Sequence, residues 1–155
     1  MDKKKIIIIS SIAAGVVVIA LIVGLIIYGN YKKGLNNSAE LNANLEKLGK
    51  SFYEEFYYPH QVSSIEQKNA NLKKKEKPST IEGLLKNYEN TGISVNLENI
   101  AKVSSTDQSL VEAMVNKKTK EKCDFKNTKV TIKPVAPFGV NDYTITTTLE
   151  CGSFE

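Results

Sequence analysis

Cys123 and Cys151 are the residues of this chain with the most distinctive chemistry. A pair of thiols can form a disulfide, ligate a metal or supply a nucleophile. A metal site needs more ligands, but His60 is the one histidine and no Cys-x-x-Cys spacing is present. A catalytic thiol needs a base, and His60 is distant in sequence. We therefore predict a structural disulfide rather than two unrelated buried thiols.

The segment between the cysteines has the pattern of a β-hairpin. Polar and apolar residues alternate at 128–133 and 143–150, and the residues between include two prolines, a glycine and an asparagine. A hairpin folded about Pro137 places Cys123 opposite Cys151, as a disulfide requires.

The apolar residues of the two predicted strands match best in a slightly different register. Val130 then lies opposite Ile145, and Ile132 lies opposite Tyr143. A one-residue bulge before Thr128 reconciles this register with the paired cysteines.

A long amphipathic helix is predicted at 37–57. Asn37 and Glu40 have the spacing of a helix cap, and leucines follow at helical spacing until Pro59. The helix ends in an aromatic-rich stretch, SFYEEFYY. One interpretation is an interaction surface, whose residues would be Tyr53, Tyr57 and Tyr58. The other is that Phe52 and Phe56 anchor the core while the tyrosines keep their hydroxyls in water.

Shorter elements are expected in the remainder of the chain. Residues 60–77 are polar and lysine-rich without periodicity, which predicts a flexible loop. A short helix is predicted to begin at the Ser79-x-x-Glu82 capping box and to stop at Gly92. A brief alternation follows from Ile93, and a second short helix is predicted at 107–115, capped by Ser105.

The N-terminal segment has the composition of a membrane anchor. From Ile6 to Ile27 the chain is apolar except for two serines. As a helix this run would span roughly 33 Å, enough for a bilayer core. It is longer than the apolar region of a cleaved signal peptide, and no small-residue cleavage site follows it. We therefore predict an uncleaved anchor with the lipid bilayer as a partner.

The orientation of the anchor follows from charge and from the cysteines. Lys3, Lys4 and Lys5 precede the span, whereas Lys32 and Lys33 follow it, a small bias toward a cytoplasmic N-terminus. A disulfide requires an oxidising compartment, which also places the C-terminal domain outside the cell. Two pairs of small residues within the span have the spacing that packs one membrane helix on another: Ser11 with Gly15, and Ala20 with Gly24.

The predicted fold class is α+β, with a membrane helix, an amphipathic helical stalk and a small domain that ends in a disulfide-closed antiparallel hairpin. The expected organisation is a cytoplasmic tail at 1–5, a transmembrane helix at 6–28, a juxtamembrane helix at 29–58, a flexible loop at 59–78 and an extracytoplasmic domain at 79–155, with the hairpin at 128–150.

This order of parts resembles that of type IV pilins and pseudopilins. The resemblance implies an assembly subunit built on a membrane helix, a helical stalk and a C-terminal disulfide-closed hairpin. Proteins of that class carry a glycine before the apolar run and a glutamate at its fifth position. Here Lys5 precedes Ile6, and residues 6–10 contain no glutamate, so the processing motif is missing.

Composition and motifs narrow the function. The net charge is +4, and all basic residues are lysines, so the chain lacks the basic surface of a nucleic-acid-binding protein and the guanidinium groups that bind phosphate bidentately. Phosphate loops, nucleophile elbows and metal-ligand spacings are missing from the sequence. We expect no catalysis and no cofactor. The leading function is a membrane-anchored extracytoplasmic structural or interaction module, whose partner would be another membrane or cell-surface protein. The alternatives are a pilin-like assembly subunit and an accessory subunit of a membrane complex.

Overall fold

The structure is a computed structural model that describes residues 24–25, 28–29, 36–73 and 76–154. The chain divides into two compact units, Met1–Asn36 and Asn37–Glu155. None of the helices in the described part of the chain is long and apolar enough to cross a membrane. The predicted span at 6–28 lies almost wholly outside the described residues, as do Ser11, Gly15 and Ala20. Gly24 is described: it is helical and exposed.

The second unit is α+β, as predicted, with short helices and a three-stranded antiparallel sheet. Its α-helices and strands are α1 (Ser38–Ser51), α2 (Tyr58–Ala70), α3 (Ile81–Lys86), β1 (Ile93–Asn96), α4 (Leu97–Ala101), α5 (Gln108–Glu112), β2 (Lys129–Pro134) and β3 (Tyr143–Thr148). A π-helical segment, Phe52–Tyr57, joins α1 to α2.

The sheet has the order β1-β2-β3, so the predicted hairpin gains a third strand. The predicted register of the hairpin was wrong by two residues. Ile132 pairs with Ile145, and Tyr143 pairs with Pro134 rather than with Ile132. Because side chains alternate with a period of two, a shift of two leaves the same residues on each face. The apolar pattern therefore specified the faces without specifying the pairing.

The predicted disulfide is confirmed: Cys123 and Cys151 are bonded, and both are buried. An irregularity before Thr128 is also present, but it is a turn rather than a one-residue bulge. The Asp124 carboxylate accepts hydrogen bonds from the backbone amides of Lys126 and Asn127. This turn takes three residues out of the hydrogen-bond ladder between the two arms of the hairpin. Just before the turn, the Asp124 amide donates to the Glu150 carbonyl at 2.6 Å.

Helix α1 is the central element of the core rather than a stalk, which corrects the predicted boundary at residue 79. Its leucine stripe, Leu41, Leu45 and Leu48, is fully buried against the sheet. Gly49 lies at the closest approach, since a Cβ there would be 2.6 Å from Val130 Cγ1. A glycine in mid-helix costs helix stability, but here it allows the helix to lie directly on β2.

The predicted cap of α1 is also corrected. Asn37 is the N-cap residue, but its side chain makes no capping hydrogen bond. The side-chain nitrogen of Asn37 instead donates to the Val115 carbonyl at 2.9 Å, and its side-chain oxygen accepts from the Lys117 backbone amide at 3.0 Å. Glu40 forms an ion pair with Lys117 rather than completing a capping box. The start of α1 is thus joined to the loop after α5.

Pro59 does not end the helical region, and the predicted loop at 59–78 was wrong over most of its length. The helical chain passes through the π-helical segment and continues as α2 to Ala70. Pro59 lies at the second position of α2. Tyr57 and Tyr58 before it already have helical backbone angles, so Pro59 lies inside a continuous helical run. Proline supplies no amide hydrogen there, and the change from π-helical to α-helical structure coincides with it. The end of α2 is fixed by a reciprocal pair of hydrogen bonds between Asn69 and Ser79, of 2.8 and 2.9 Å.

The two short helices begin later than their predicted caps. Thr80, not Ser79, caps α3 by accepting a hydrogen bond from the Gly83 amide. Asp107, not Ser105, caps α5. In each case a neighbouring residue with the same capping ability takes the position that tertiary packing sets. The predicted stop at Gly92 was too late: α3 ends at Lys86, and turns lead from there to Gly92. Gly92 has a φ of +73°, a conformation that favours glycine.

Candidate interaction surfaces

The aromatic stretch at the end of α1 forms a cluster around Tyr53. The Tyr53 side chain is 0 % exposed. Its ring lies edge-on to Tyr143 with centroids 4.9 Å apart, and it stacks on Tyr57 at 5.9 Å. Tyr58 contacts the same ring edge-on. Tyr53 is therefore a core residue, and the three tyrosines do not form one exposed surface. Tyr57 and Tyr58 are half-buried at its margin.

The π-helical segment explains why sequence periodicity misassigned these side chains. A wider helical turn changes the angle between successive residues, so positions assigned from 3.6-residue spacing rotate out of place. Phe56, expected to anchor the core, is 42 % exposed, and its ring stacks on His60. Tyr53, expected to reach water, takes the interior position instead.

The Tyr53 hydroxyl is buried without a hydrogen-bond partner among the described residues. Burial, followed by the neighbouring Tyr58 and Tyr57, raises the pKa of Tyr53 to about 12. An unsatisfied buried hydroxyl lowers stability because it has lost its hydrogen bonds to water. The Tyr53 ring stabilises the core by packing, whereas its buried hydroxyl lowers the stability of the fold.

We predict that Tyr53→Phe stabilises the protein by about 1–2 kcal/mol near neutral pH. Because an unfolded tyrosine titrates near pH 10 and Tyr53 only near 12, the neutral phenol favours the folded state below about pH 10. That advantage is lost as the pH rises toward 12. The stabilising effect of Tyr53→Phe should therefore increase above pH 10, as measured by urea unfolding at neutral and alkaline pH.

Tyr143→Phe is the matched control, because the Tyr143 hydroxyl donates to Glu54 Oε1 at 2.6 Å. The same change there should destabilise the protein by about 1 kcal/mol. A loss of stability in Tyr53→Phe as well would show that the Tyr53 hydroxyl is hydrogen-bonded in solution.

A groove runs between α1 and the free edge of β3. Its volume is about 570 Å³, and its walls are Ala43, Glu46, Lys47, Lys50, Glu54, Asn141, Tyr143 and Ile145. Helix α1 and the π-helical segment together supply two acidic and two basic side chains, and the strand supplies an aromatic and an aliphatic one. The alternation of β3 predicted the strand side of this groove. The sequence did not predict that α1 lies beside that strand.

Glu54 and Tyr143 form the most specific polar contact in this groove. Burial and the hydrogen bond to Glu54 raise the pKa of Tyr143. Lys50 lies one helical turn before Glu54, with 4.0 Å between its Nζ and the Glu54 carboxylate. The neutral phenol thus joins the π-helical segment to β3 at physiological pH.

The opposite face of the sheet is polar. The register places Ser94, Thr131 and Thr146 in one row across the three strands. The adjacent positions on this face are Asn96, Lys129 and Thr148 on one side, and Lys133 and Thr144 on the other. Hydroxyl, amide and ammonium groups make this face hydrophilic, so the sheet buries only the side that faces α1.

Other hollows of similar volume, about 550 and 500 Å³, lie elsewhere on the described part of the unit. One, beside Phe56, is lined by Phe52, Val95 and Val103, with polar residues in and directly after α4. The other lies between α2 and α3 and contains Ile65 and Leu84.

The chemistry of the cysteines is settled by their bond. Both sulfurs are in the disulfide, so neither can ligate a metal or act as a nucleophile while it is intact. Among the described residues, no three His, Cys, Asp or Glu side chains lie together in a group that could hold a metal ion.

Comparison of the chain with protein-family models, with curated proteins and with solved structures finds no match.

Proposed function

We propose that this chain is a single-pass, membrane-anchored, extracytoplasmic module that acts by binding other proteins rather than by catalysis. The observation that carries the proposal is the buried Cys123–Cys151 disulfide in a chain whose residues 6–27 form an apolar run of membrane-spanning length. Disulfides persist in oxidising compartments. They favour a location of residues 37–155 outside the cytoplasm, with residues 1–5 inside and the bilayer as the first partner.

The surface of the second unit supports binding rather than chemistry. Its groove has an uncharged strand edge on one side and two acidic and two basic side chains on the other. Such a surface suits a second protein chain, which can satisfy backbone groups as well as side chains. The expected partner is a membrane or cell-surface protein.

Thiol labelling in intact cells tests the location. A membrane-impermeant maleimide of large mass should label Cys123 and Cys151 only after reduction. A Ser94→Cys variant, whose new thiol lies on the exposed sheet face, should be labelled without reduction. A Lys3→Cys variant should react only after lysis. Labelling of Ser94→Cys that also requires lysis would place the domain in the cytoplasm and overturn the proposal.

The pilin-like alternative is favoured by one structural observation: a long helix lies across an antiparallel sheet whose last strand leads into the disulfide. Its test is the intact mass of the mature protein, together with its presence in sheared filaments. A cleaved chain in filaments would favour the assembly subunit. The third candidate, an accessory subunit held through Ser11, Gly15, Ala20 and Gly24, predicts cross-links between membrane spans.

A further inference from the structure

No described strand pairs with the outer edge of β3. Its sequence, YTITTT, contains no charge and no proline, and it is rich in β-branched residues. Natural proteins usually prevent pairing at an exposed edge with lysines, prolines, bulges or very short strands. The opposite edge, β1, is four residues long and runs directly into α4. The longer edge of this sheet therefore lacks the features that would keep another strand away.

The backbone groups that face outward can be assigned from the ladder. The Leu97 amide donates to the Thr128 carbonyl in the register of the β1–β2 pair, so even-numbered residues of β2 bond toward β1. Odd-numbered residues of β2 then bond toward β3, because bonding direction alternates along a central strand. Their partners on β3 are Thr144, Thr146 and Thr148. The amides and carbonyls of Tyr143, Ile145 and Thr147 are left pointing away from the sheet.

The charges beside this edge favour one kind of occupant. Along α1 and the π-helical segment the wall of the groove contains Glu46, Lys47, Lys50 and Glu54, two of each sign. A strongly acidic or basic partner gains little from such a wall. Tyr143 contacts Glu54 and Thr147 contacts Asn42, so the part of α1 beside Ile145 lies near residue 48. A twofold axis through Ile145 would therefore place Glu46 of each copy opposite Lys50 of the other, because a twofold interface repeats each contact.

We propose that β3 pairs antiparallel with β3 of a second copy about a twofold axis at Ile145. Ile145 then faces its own copy, and Tyr143 faces Thr147. The outward backbone groups of each strand are satisfied, and the two three-stranded sheets become one continuous sheet with both α1 helices on the same side. This inference rests on the proposed interaction function and names the partner as a second copy of the chain.

The proposed register makes a specific test possible on the exposed face. With Ile145 on the axis, Thr144 of one copy lies opposite Thr146 of the other. Both side chains are exposed and lie away from α1, so they can be changed without disturbing the core. Thr144→Lys/Thr146→Lys places like charges opposite each other twice, whereas Thr144→Lys/Thr146→Glu places opposite charges there.

Sedimentation of the full-length chain in detergent micelles measures the result. We expect the natural sequence to dimerise, Thr144→Lys/Thr146→Lys to raise the dimer Kd by at least about tenfold, and Thr144→Lys/Thr146→Glu to keep or lower it. A monomer at every concentration would overturn the proposal. So would a dimer that responds equally to both variants, as expected for association through the apolar segment. Neither result depends on which side of the membrane the domain lies, which thiol labelling reports independently.

Discussion

Replacing both cysteines in Cys123→Ala/Cys151→Ala should lower the free energy of unfolding by about 3–4 kcal/mol. The bond joins residues 28 apart, and on the chain-entropy model a cross-link of that span restricts the unfolded chain by this amount. Total stabilities of small domains are about 5–15 kcal/mol, so the loss is a large fraction of the whole. Urea unfolding, followed by tyrosine circular dichroism in the near ultraviolet, measures it.

The position of the bond suggests which region responds first. The Cys123 amide donates to the Met114 carbonyl at 3.0 Å, so the bond connects the end of the hairpin to the loop after α5. Amides near residues 149–154 should lose protection from hydrogen exchange before those of α1. Reduction of the natural protein is the matched comparison, because it breaks the bond without removing sulfur. A loss below about 1 kcal/mol in both cases would show that the hydrogen bonds around Asp124 and Asn116 already hold this region.

Local patterns predicted those parts of the fold that depend on local physics. The leucine stripe of α1, the alternation of β2 and β3, and the left-handed conformation of Gly92 follow from helix period, strand period and backbone sterics. The disulfide was predictable because a hairpin with turn residues near its middle brings its two ends together.

The wrong predictions have a common cause: they concern features that the periodicity of apolar residues does not specify. A register shift of two residues preserves both faces of the hairpin, so Ile132 opposite Ile145 and Ile132 opposite Tyr143 look equally good from the sequence. Pro59 predicts the end of a helix, but the helical chain continues through it where the π-helical segment meets α2. The groove beside β3 requires α1 to lie on the sheet, a tertiary contact that depends on Gly49 and Val130.

Asn116 is the buried polar residue whose alteration should have the second large effect. It is 0 % exposed. Its side-chain nitrogen donates to the carbonyls of Cys151, at 2.8 Å, and Ser153, at 3.1 Å. Its side-chain oxygen accepts from the amides of Lys118 and Thr119. The amide group thus fixes the loop after α5 and the C-terminal segment to each other, with donors and acceptors that are not interchangeable.

Asn116→Asp should therefore destabilise the protein by about 3 kcal/mol at neutral pH. The substituted oxygen would face two carbonyl oxygens, and the new charge would be buried. Both effects raise the pKa of the introduced carboxyl above its ordinary value, so the protonated form favours the folded state. That contribution is present at pH values below the pKa of the unfolded carboxyl, near 4, and is lost as the pH rises. The deficit relative to the natural sequence should thus shrink as the pH falls from 7 toward 4.

Asn90→Asp is the matched control, since Asn90 is exposed. The same change there should alter stability by less than about 0.5 kcal/mol at either pH. Urea unfolding of the three proteins at both pH values separates the explanations. A deficit in Asn116→Asp that does not vary with pH would mean that the loop rearranges to expose the carboxylate to water. The C-terminal segment would then be held by the disulfide alone, and the loss on removing the cysteines should become larger in the Asn116→Asp background than in the natural sequence.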